Sequence, residues 1–227
     1  MSPALSLLAD PDAEPQALRA HARVWEPARR ALLADLDLPA DARVADIGCG
    51  APARTELGPD DTFHSDLPAG TFDLVHARFQ LAPARRAADQ LAAFRRLLKP
   101  GGVLVLEEPD TRSWTFSPHA PATTHLIGRI AQAYRTAGGD LDMGRRLAGL
   151  LRGAGLAPSV RTHAIGLEAG HPYLRLPLQL ADSLHDRLED AFGSVGLAAL
   201  RRDATAELDD PDRHGTTFTL VQAWARL

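Results

Sequence analysis

The sequence predicts an α/β protein built on a doubly wound sheet, and three observations carry that expectation. Short apolar runs alternate along the chain with longer stretches of helical periodicity. One run, Arg43-Val44-Ala45-Asp46-Ile47, passes directly into a glycine turn, Gly48-Cys49-Gly50. Another, Val103-Leu104-Val105-Leu106-Glu107, is apolar enough to be covered on both faces.

The elements follow in order. Pro3, Pro11 and Pro15 mark a loose N-terminal arm. Two helices are expected next, over 16–24 and 27–36, the second opening on Pro27, a good first helical residue. After the strand at 43–47, the stretch 51–70 is rich in Pro, Gly and Asp and resists assignment. A second strand covers 71–76. The clearest amphipathic helix covers 84–98, with Ala84, Ala88, Leu91 and Leu98 at helical spacing. Lys99-Pro100-Gly101-Gly102 stops it, ahead of the strand at 103–107. Helices over 121–137, 144–154, 177–191 and 194–208, and strands over 159–167 and 216–226, complete the alternation.

The bulk properties exclude several classes. A net charge of -4 gives no general electrostatic case for nucleic acid or an acidic membrane. Cys49 is the only cysteine, so no intramolecular disulfide forms and a cysteine zinc site would lack ligands. His163, His171, His185 and His214 show no metal-ligand spacing, and no metal is expected. The opening residues lack the basic region and the long apolar run of a signal sequence, so a cytoplasmic location is the default expectation.

A strand ending in glycines suits a nucleotide-like ligand. The turn is sharp, and no Cβ blocks the ligand's approach to the backbone. An acid at the strand end, here Asp46, can orient that backbone or take a ligand's amino group. Asp46-Ile47-Gly48-Cys49-Gly50, Phe72-Asp73-Leu74-Val75 and Leu97-Leu98-Lys99-Pro100-Gly101-Gly102-Val103-Leu104-Val105-Leu106-Glu107, in this order, resemble the class I S-adenosylmethionine (SAM) methyltransferases. They correspond to the first glycine-rich motif, the fourth strand and the turn into the fifth. Glu107-Glu108-Pro109-Asp110, Gly139-Asp140 with Gly144-Arg145-Arg146-Leu147, and Leu150-Leu151-Arg152-Gly153-Ala154-Gly155-Leu156 extend the likeness to bacterial small-molecule methyltransferases. Trp25-Glu26-Pro27 is similar to the helix that lids the pocket there. The resemblance implies a Rossmann-like sheet of the class I methyltransferase type in a single domain over 1–227. It also implies a helical arm or lid over 1–40 and a cap-forming helical insertion over 109–157.

Three departures accompany the likeness. Pro52 stands where the family has a third glycine, and Pro has no N–H and a fixed φ. Only 21 residues separate Gly50 from Phe72. A helix, strand, helix and strand there need over ~30 residues, so the sheet is expected to be reduced on its second- and third-strand side. The histidine that often follows the fourth strand is missing from Arg78-Phe79-Gln80-Leu81-Ala82-Pro83, whereas His76 lies within or at the end of the strand itself. Without a second strand, the 44–47 strand becomes an edge. Either the N-terminal helices or a partner subunit, as in a homodimer, is expected to cover it.

The resemblance implies SAM as cofactor, held by Asp46, Gly48, Cys49, Gly50, Asp66 and Arg78. Asp66 has three readings: a ribose-binding acid 20 residues after Asp46, the family's later acid that meets the adenine amino group, or a solvated loop residue. His76, His119 and His125 are the candidate bases, because imidazole titrates near neutrality. Trp25, Glu108, Trp114 and Tyr134 are the candidate substrate-binding residues. Of Glu107 and Glu108, one is expected to face the pocket and the other solvent or an arginine. The expected reaction is methyl transfer to an O, N or C atom of a small molecule, in bacterial secondary metabolism. Two alternatives stand beside it: an enzyme repurposed for cyclisation or rearrangement, and a non-catalytic binding or partner subunit.

Overall fold

In the computed structural model, residues 14–47 and 67–227 are described. The glycine turn, Pro52 and Asp66 lie outside them. The elements run α1 (Glu14–Asp35), β1 (Val44–Ile47), β2 (Phe72–Arg78), α2 (Ala87–Leu97), β3 (Leu98–Asp110), β4 (Thr115–Ser117), α3 (Pro121–Thr136) and α4 (Leu147–Gly153). They continue β5 (Ser159–His163), β6 (Gly166–Leu167), α5 (Leu176–Ser183), α6 (His185–Phe192), α7 (Ser194–Leu208), β7 (His214–Thr216) and β8 (Thr219–Arg226). The main sheet has the order β1-β2-β3-β8-β5, and β4-β7-β6 form a small second sheet. β1, β2 and β3 are parallel, while β8 runs antiparallel to both β3 and β5.

Period-two alternation sends opposite residues of each strand to opposite faces. Val75, Ala77, Leu104, Leu106, Val221 and Ala223 join Leu91, Phe94, Leu147 and Leu151 in one core under α2 and α4. Leu74, Val103 and Val105 point the other way, against Leu32 of α1 and Leu36 just beyond its end. A separate helical core gathers Leu126, Ile130 and Tyr134 of α3 with residues of α5, α6 and α7.

Several expected elements are redrawn. The two N-terminal helices are one, with Pro27 inside it. Trp25, Ala28, Leu32 and Leu36 are all buried, and this helical stripe crosses the proline. Burying that stripe outweighs the roughly 3 kcal/mol cost of an interior proline. Lys99-Pro100-Gly101-Gly102 does not precede the strand but bulges within it. Phe72 pairs with Leu98 and Leu74 with Val103, so the intervening residues loop out. Lys99 Nζ caps the bulge on Asp73 Oδ2 at 2.8 Å. The helix expected at 177–191 breaks at Leu184, and neither Gly nor Pro marks the break. The 159–167 strand divides between the two sheets, as does the C-terminal one. Gly144 sits where a Cβ would lie 2.9 Å from the carbonyl oxygens of Glu108 and Pro109, so only glycine lets this segment approach β3.

Among the described strands β1 pairs with β2 alone, and α1 packs on the sheet's face through Leu32, with Leu36 just beyond its end, rather than along that edge. No described helix is long and apolar enough to cross a membrane.

At the start of α3, Glu207 of α7 accepts from the backbone N–H groups of Ala122 and Thr123 at 2.9 and 2.8 Å and from the Thr123 hydroxyl. This carboxylate replaces a local cap, since Ala120 offers none. Glu207→Ala is expected to lower stability by about 1–2 kcal/mol, read from urea unfolding. A change under ~0.3 kcal/mol would deny it the capping role.

Candidate functional site

Ligands of open α/β sheets bind beyond the carboxyl ends of the parallel strands. At that end, on the face under α1, the apolar alternation gives way to polar side chains. His76 of β2 follows Leu74, Glu107 of β3 follows Val105, and Gln222 of β8 replaces an apolar residue two positions before Trp224. The register brings them together: Asp46 lies opposite His76, and Glu107 lies opposite Arg78 on one side and Gln222 on the other.

His76 is 3% exposed and has a carboxylate at each ring nitrogen. Nδ1 is 2.8 Å from Asp46 Oδ1 and Nε2 is 3.0 Å from Glu107 Oε2. Burial opposes a charge on the ring, but the bonds to Asp46 and Glu107 outweigh it and hold its pKa above the ordinary histidine range. Burial likewise works to raise Glu107, and its bonds to His76 and Gln222 bring it below the usual carboxylate range. The Asp46 carboxyl is also lowered, burial being outweighed by His76.

Asp46 is the accessible member, its side chain 43% exposed, and its second oxygen makes no hydrogen bond among the described residues. Arg78 Nη1 is buried without a hydrogen-bond partner among the described residues, 3.9 Å from Glu107 Oε2. The strand then ends on Phe79, whose φ of 57° is a left-handed conformation that bulky residues rarely adopt. Its N–H is held by the Glu107 carbonyl at 2.9 Å.

An aromatic cluster adjoins this polar end. Phe218 is the hub, with ring centroids 5.4 Å from Trp25, 5.6 Å from Trp114, 6.0 Å from Phe79 and 6.2 Å from Tyr173. Trp25 donates its indole N–H to the Tyr173 hydroxyl at 3.0 Å, whereas the buried Trp114 indole N–H has no hydrogen-bond partner among the described residues.

The structure thus joins Asp46, His76 and Arg78 in one polar group and Trp25 and Trp114 in one aromatic group. It leaves the other candidates elsewhere. His119 is exposed in the turn before α3, and His125 lies on the exposed side of α3, bonded to Arg129 at 3.0 Å. Tyr134 is buried in the helical core, and burial raises its hydroxyl above the usual range. Glu108 faces away from the polar group, because it neighbours Glu107 on a strand, and accepts from the N–H groups of Leu81 and Ala82 at 2.6 and 3.0 Å. Neither glutamate faces solvent; both are 0% exposed. Arg145 pairs with Asp110 and Arg146 with Asp140. Gly48, Cys49, Gly50 and Asp66 are outside the described residues.

The described parallel strands have the neighbours of the first, fourth and fifth strands in a doubly wound sheet. The fold is a Rossmann-like α/β sheet. No protein-family model matches the chain. No curated protein matches it either. Solved structures of similar fold include a methyltransferase from an antibiotic biosynthesis pathway of Anabaena variabilis, at 13% identity over 96% of this chain and 98% of that one, with a TM-score of 0.49. A methyltransferase of Bacillus halodurans aligns at 14% identity over 73% of this chain and 68% of that one, with a TM-score of 0.44. The [4+2]-cyclase SpnF aligns at 18% identity over 72% and 54%, with a TM-score of 0.35. In two structures of one phosphoethanolamine N-methyltransferase of Haemonchus contortus the chain spans only 35% of the aligned protein. At these identities and scores the likenesses determine neither reaction nor ligand.

Proposed function

We propose that the carboxyl end of β1 and β2 holds SAM and that the protein methylates a small molecule, as a bacterial enzyme of secondary metabolism. The observation that carries this reading is the pair of opposite charges on adjacent strand ends: the half-exposed Asp46 carboxylate, with one oxygen on His76 and the other free of hydrogen bonds among the described residues, and Arg78 Nη1, which makes no hydrogen bond among them and lies 3.9 Å from Glu107. Together they fit the ammonium and carboxylate of an α-amino acid group, which SAM possesses. With SAM held there, the chemistry on offer is transfer of its sulfonium methyl to an O, N or C nucleophile. Asp46 orients the ammonium, Arg78 the carboxylate, and the ring cluster around Phe218 excludes water and positions an apolar acceptor. The likeness of Gly139-Asp140 and 144–156 to small-molecule methyltransferases supports the acceptor class.

Calorimetric titration with SAM and S-adenosylhomocysteine tests the reading. Binding of both is expected. Asp46→Asn keeps an acceptor for His76 but removes the charge, and is expected to weaken SAM at least roughly tenfold, about 1.4 kcal/mol. Unaltered affinity would remove Asp46 from the site. Failure of the unaltered protein to bind either compound would end the methyltransferase reading. A second reading would then stand, an aromatic enclosure that promotes cyclisation or rearrangement without SAM. Two observations favour it: His76 already occupies one Asp46 oxygen, and only 21 residues separate Gly50 from Phe72.

A further inference from the structure

The polar row does not end at Glu107. Gln222 donates its amide N–H to Glu107 Oε1 and, at 3.2 Å, to the Ala28 carbonyl, while its Oε1 lies 3.0 Å from His163 Nε2. Asp46, His76, Glu107, Gln222 and His163 therefore form one chain of hydrogen bonds across all five strands, β1-β2-β3-β8-β5. Buried polar groups cost free energy unless every partner is in place, so a row this long on an otherwise apolar face calls for a role.

Bond inventory sets the protons along it. A carboxylate only accepts, so both ring nitrogens of His76 must donate, and a ring that donates twice is the imidazolium. Both neighbours of the Gln222 nitrogen are acceptors, which fixes the amide's orientation and makes His163 Nε2 a donor. A neutral His76 would turn a lone pair toward either Asp46 or Glu107. If that nitrogen is Nδ1, nothing orients the Asp46 carboxylate.

We propose that Glu107 and Gln222 are positioning residues for the Asp46 carboxylate, acting through His76 held as a doubly donating cation. Glu107 is 0% exposed and reaches Asp46 through His76. It keeps a proton on Nε2, so that the Nδ1 proton stays on Asp46. The charged and polar groups facing the ring group come from every surrounding element: Asp46 of β1, Arg78 of β2, Glu107 of β3, Gln222 of β8, His163 of β5 and Arg29 of α1. The importance of Asp46 to a ligand rests on the SAM reading above, but the state of His76 does not.

Nitrogen NMR of the full chain with labelled histidine, from pH 6 to 9, tests this without any ligand. Both His76 nitrogens are expected to carry protons at pH 7.5, with a midpoint above the ordinary value of about 6.5. Glu107→Gln is expected to lower the ring's proton affinity at least tenfold, a full pH unit, and to leave a single neutral tautomer at pH 8. Asp46→Asn, at the exposed end of the row, should move the midpoint in the same direction if Glu107→Gln fails to fold. A neutral ring in the unaltered protein at pH 7.5, or a midpoint unmoved by either variant, would overturn the proposal. SAM titration at pH 8 adds the functional arm: Glu107→Gln should weaken SAM although it is remote from the ligand. Equal affinity beside a neutral His76 would overturn the positioning role. Absence of SAM binding to the unaltered protein would instead strike the cofactor reading, leaving the NMR result to decide the state of the row.

Discussion

Replacing His76 with leucine is expected to cost about 3–5 kcal/mol of folding stability, because it breaks a buried ion pair by removing one partner. Leucine fills much of the ring's volume, so the loss is not chiefly a cavity. Glu107, 0% exposed, keeps only the Gln222 N–H and an arginine nitrogen 3.9 Å away. The pH dependence distinguishes this cause from simple misfit. In the unaltered protein the raised His76 contributes fully below about 6.5 and loses its contribution as pH climbs through its folded value. The lowered Asp46 and Glu107 contribute above their ordinary values and lose that as pH falls through their folded ones. In His76→Leu the isolated Glu107 carboxylate is relieved by taking up a proton. Below about pH 6, where the His76 contribution of the unaltered protein is already nearly full, the penalty should therefore shrink on acidification toward about pH 5. Adding Glu107→Gln should recover at least half of it at pH 7. Urea unfolding of the single and double variants measures both effects, and a pH-independent penalty that the second substitution leaves unchanged would show packing, not charge, at work.

This ion group also marks the boundary of what could be read from the chain. The strands and most helices were legible because burial imposes a period of two or of 3.6 on the sequence. Leu74 and His76, or Val103, Val105 and Glu107, share a face by that rule alone. The rule also places Glu107 and Glu108 on opposite faces, but it does not say that both faces are covered there, so that neither glutamate reaches solvent. Which strand stands beside which is another matter. His76 meets Glu107 31 residues along the chain and Glu107 meets Gln222 115 along, through a register that only the folded sheet defines. The signal available was weaker but real: a glutamine inside Leu220-Val221-Gln222-Ala223-Trp224 is a polar group where an apolar one is expected. Pro27 misled for the converse reason. Local chemistry favours a helix start there, and the long-range burial of Trp25 and Leu32 on one stripe overrides it. His119 and His125 were chosen for the titration range of imidazole and for their place in the segment that caps the pocket in similar enzymes, and neither property says which way a side chain points.

Glu108 offers the second large effect, and it bears on the site through the backbone. Its two oxygens hold the N–H groups of Leu81 and Ala82, and the Ala82 carbonyl in turn accepts from Asp140 at 2.7 Å. The Glu108 carboxyl group therefore anchors the turn that follows Arg78 and Phe79 and joins it to the segment after α3. Glu108→Ala would leave two N–H groups without an acceptor where no water reaches, at roughly 1–3 kcal/mol each, or about 2–6 kcal/mol together. Burial raises this carboxyl to about 8, against the pull of the backbone groups of Leu81, Ala82 and Gln80. An acid raised above its ordinary value of about 4.3 contributes fully below that pH and loses its contribution as pH rises toward about 8. Glu108→Gln cannot titrate. It retains an acceptor for one N–H and turns an amide donor toward the other, so it is expected to be less stable than the unaltered protein at pH 5. The gap should close as pH climbs to 8 and the unaltered carboxyl takes on its buried charge. Unfolding curves of the two proteins across this range decide the matter: a gap that stays constant would mean that Glu108 keeps one protonation state throughout, and that its hold on the turn owes nothing to a shifted equilibrium.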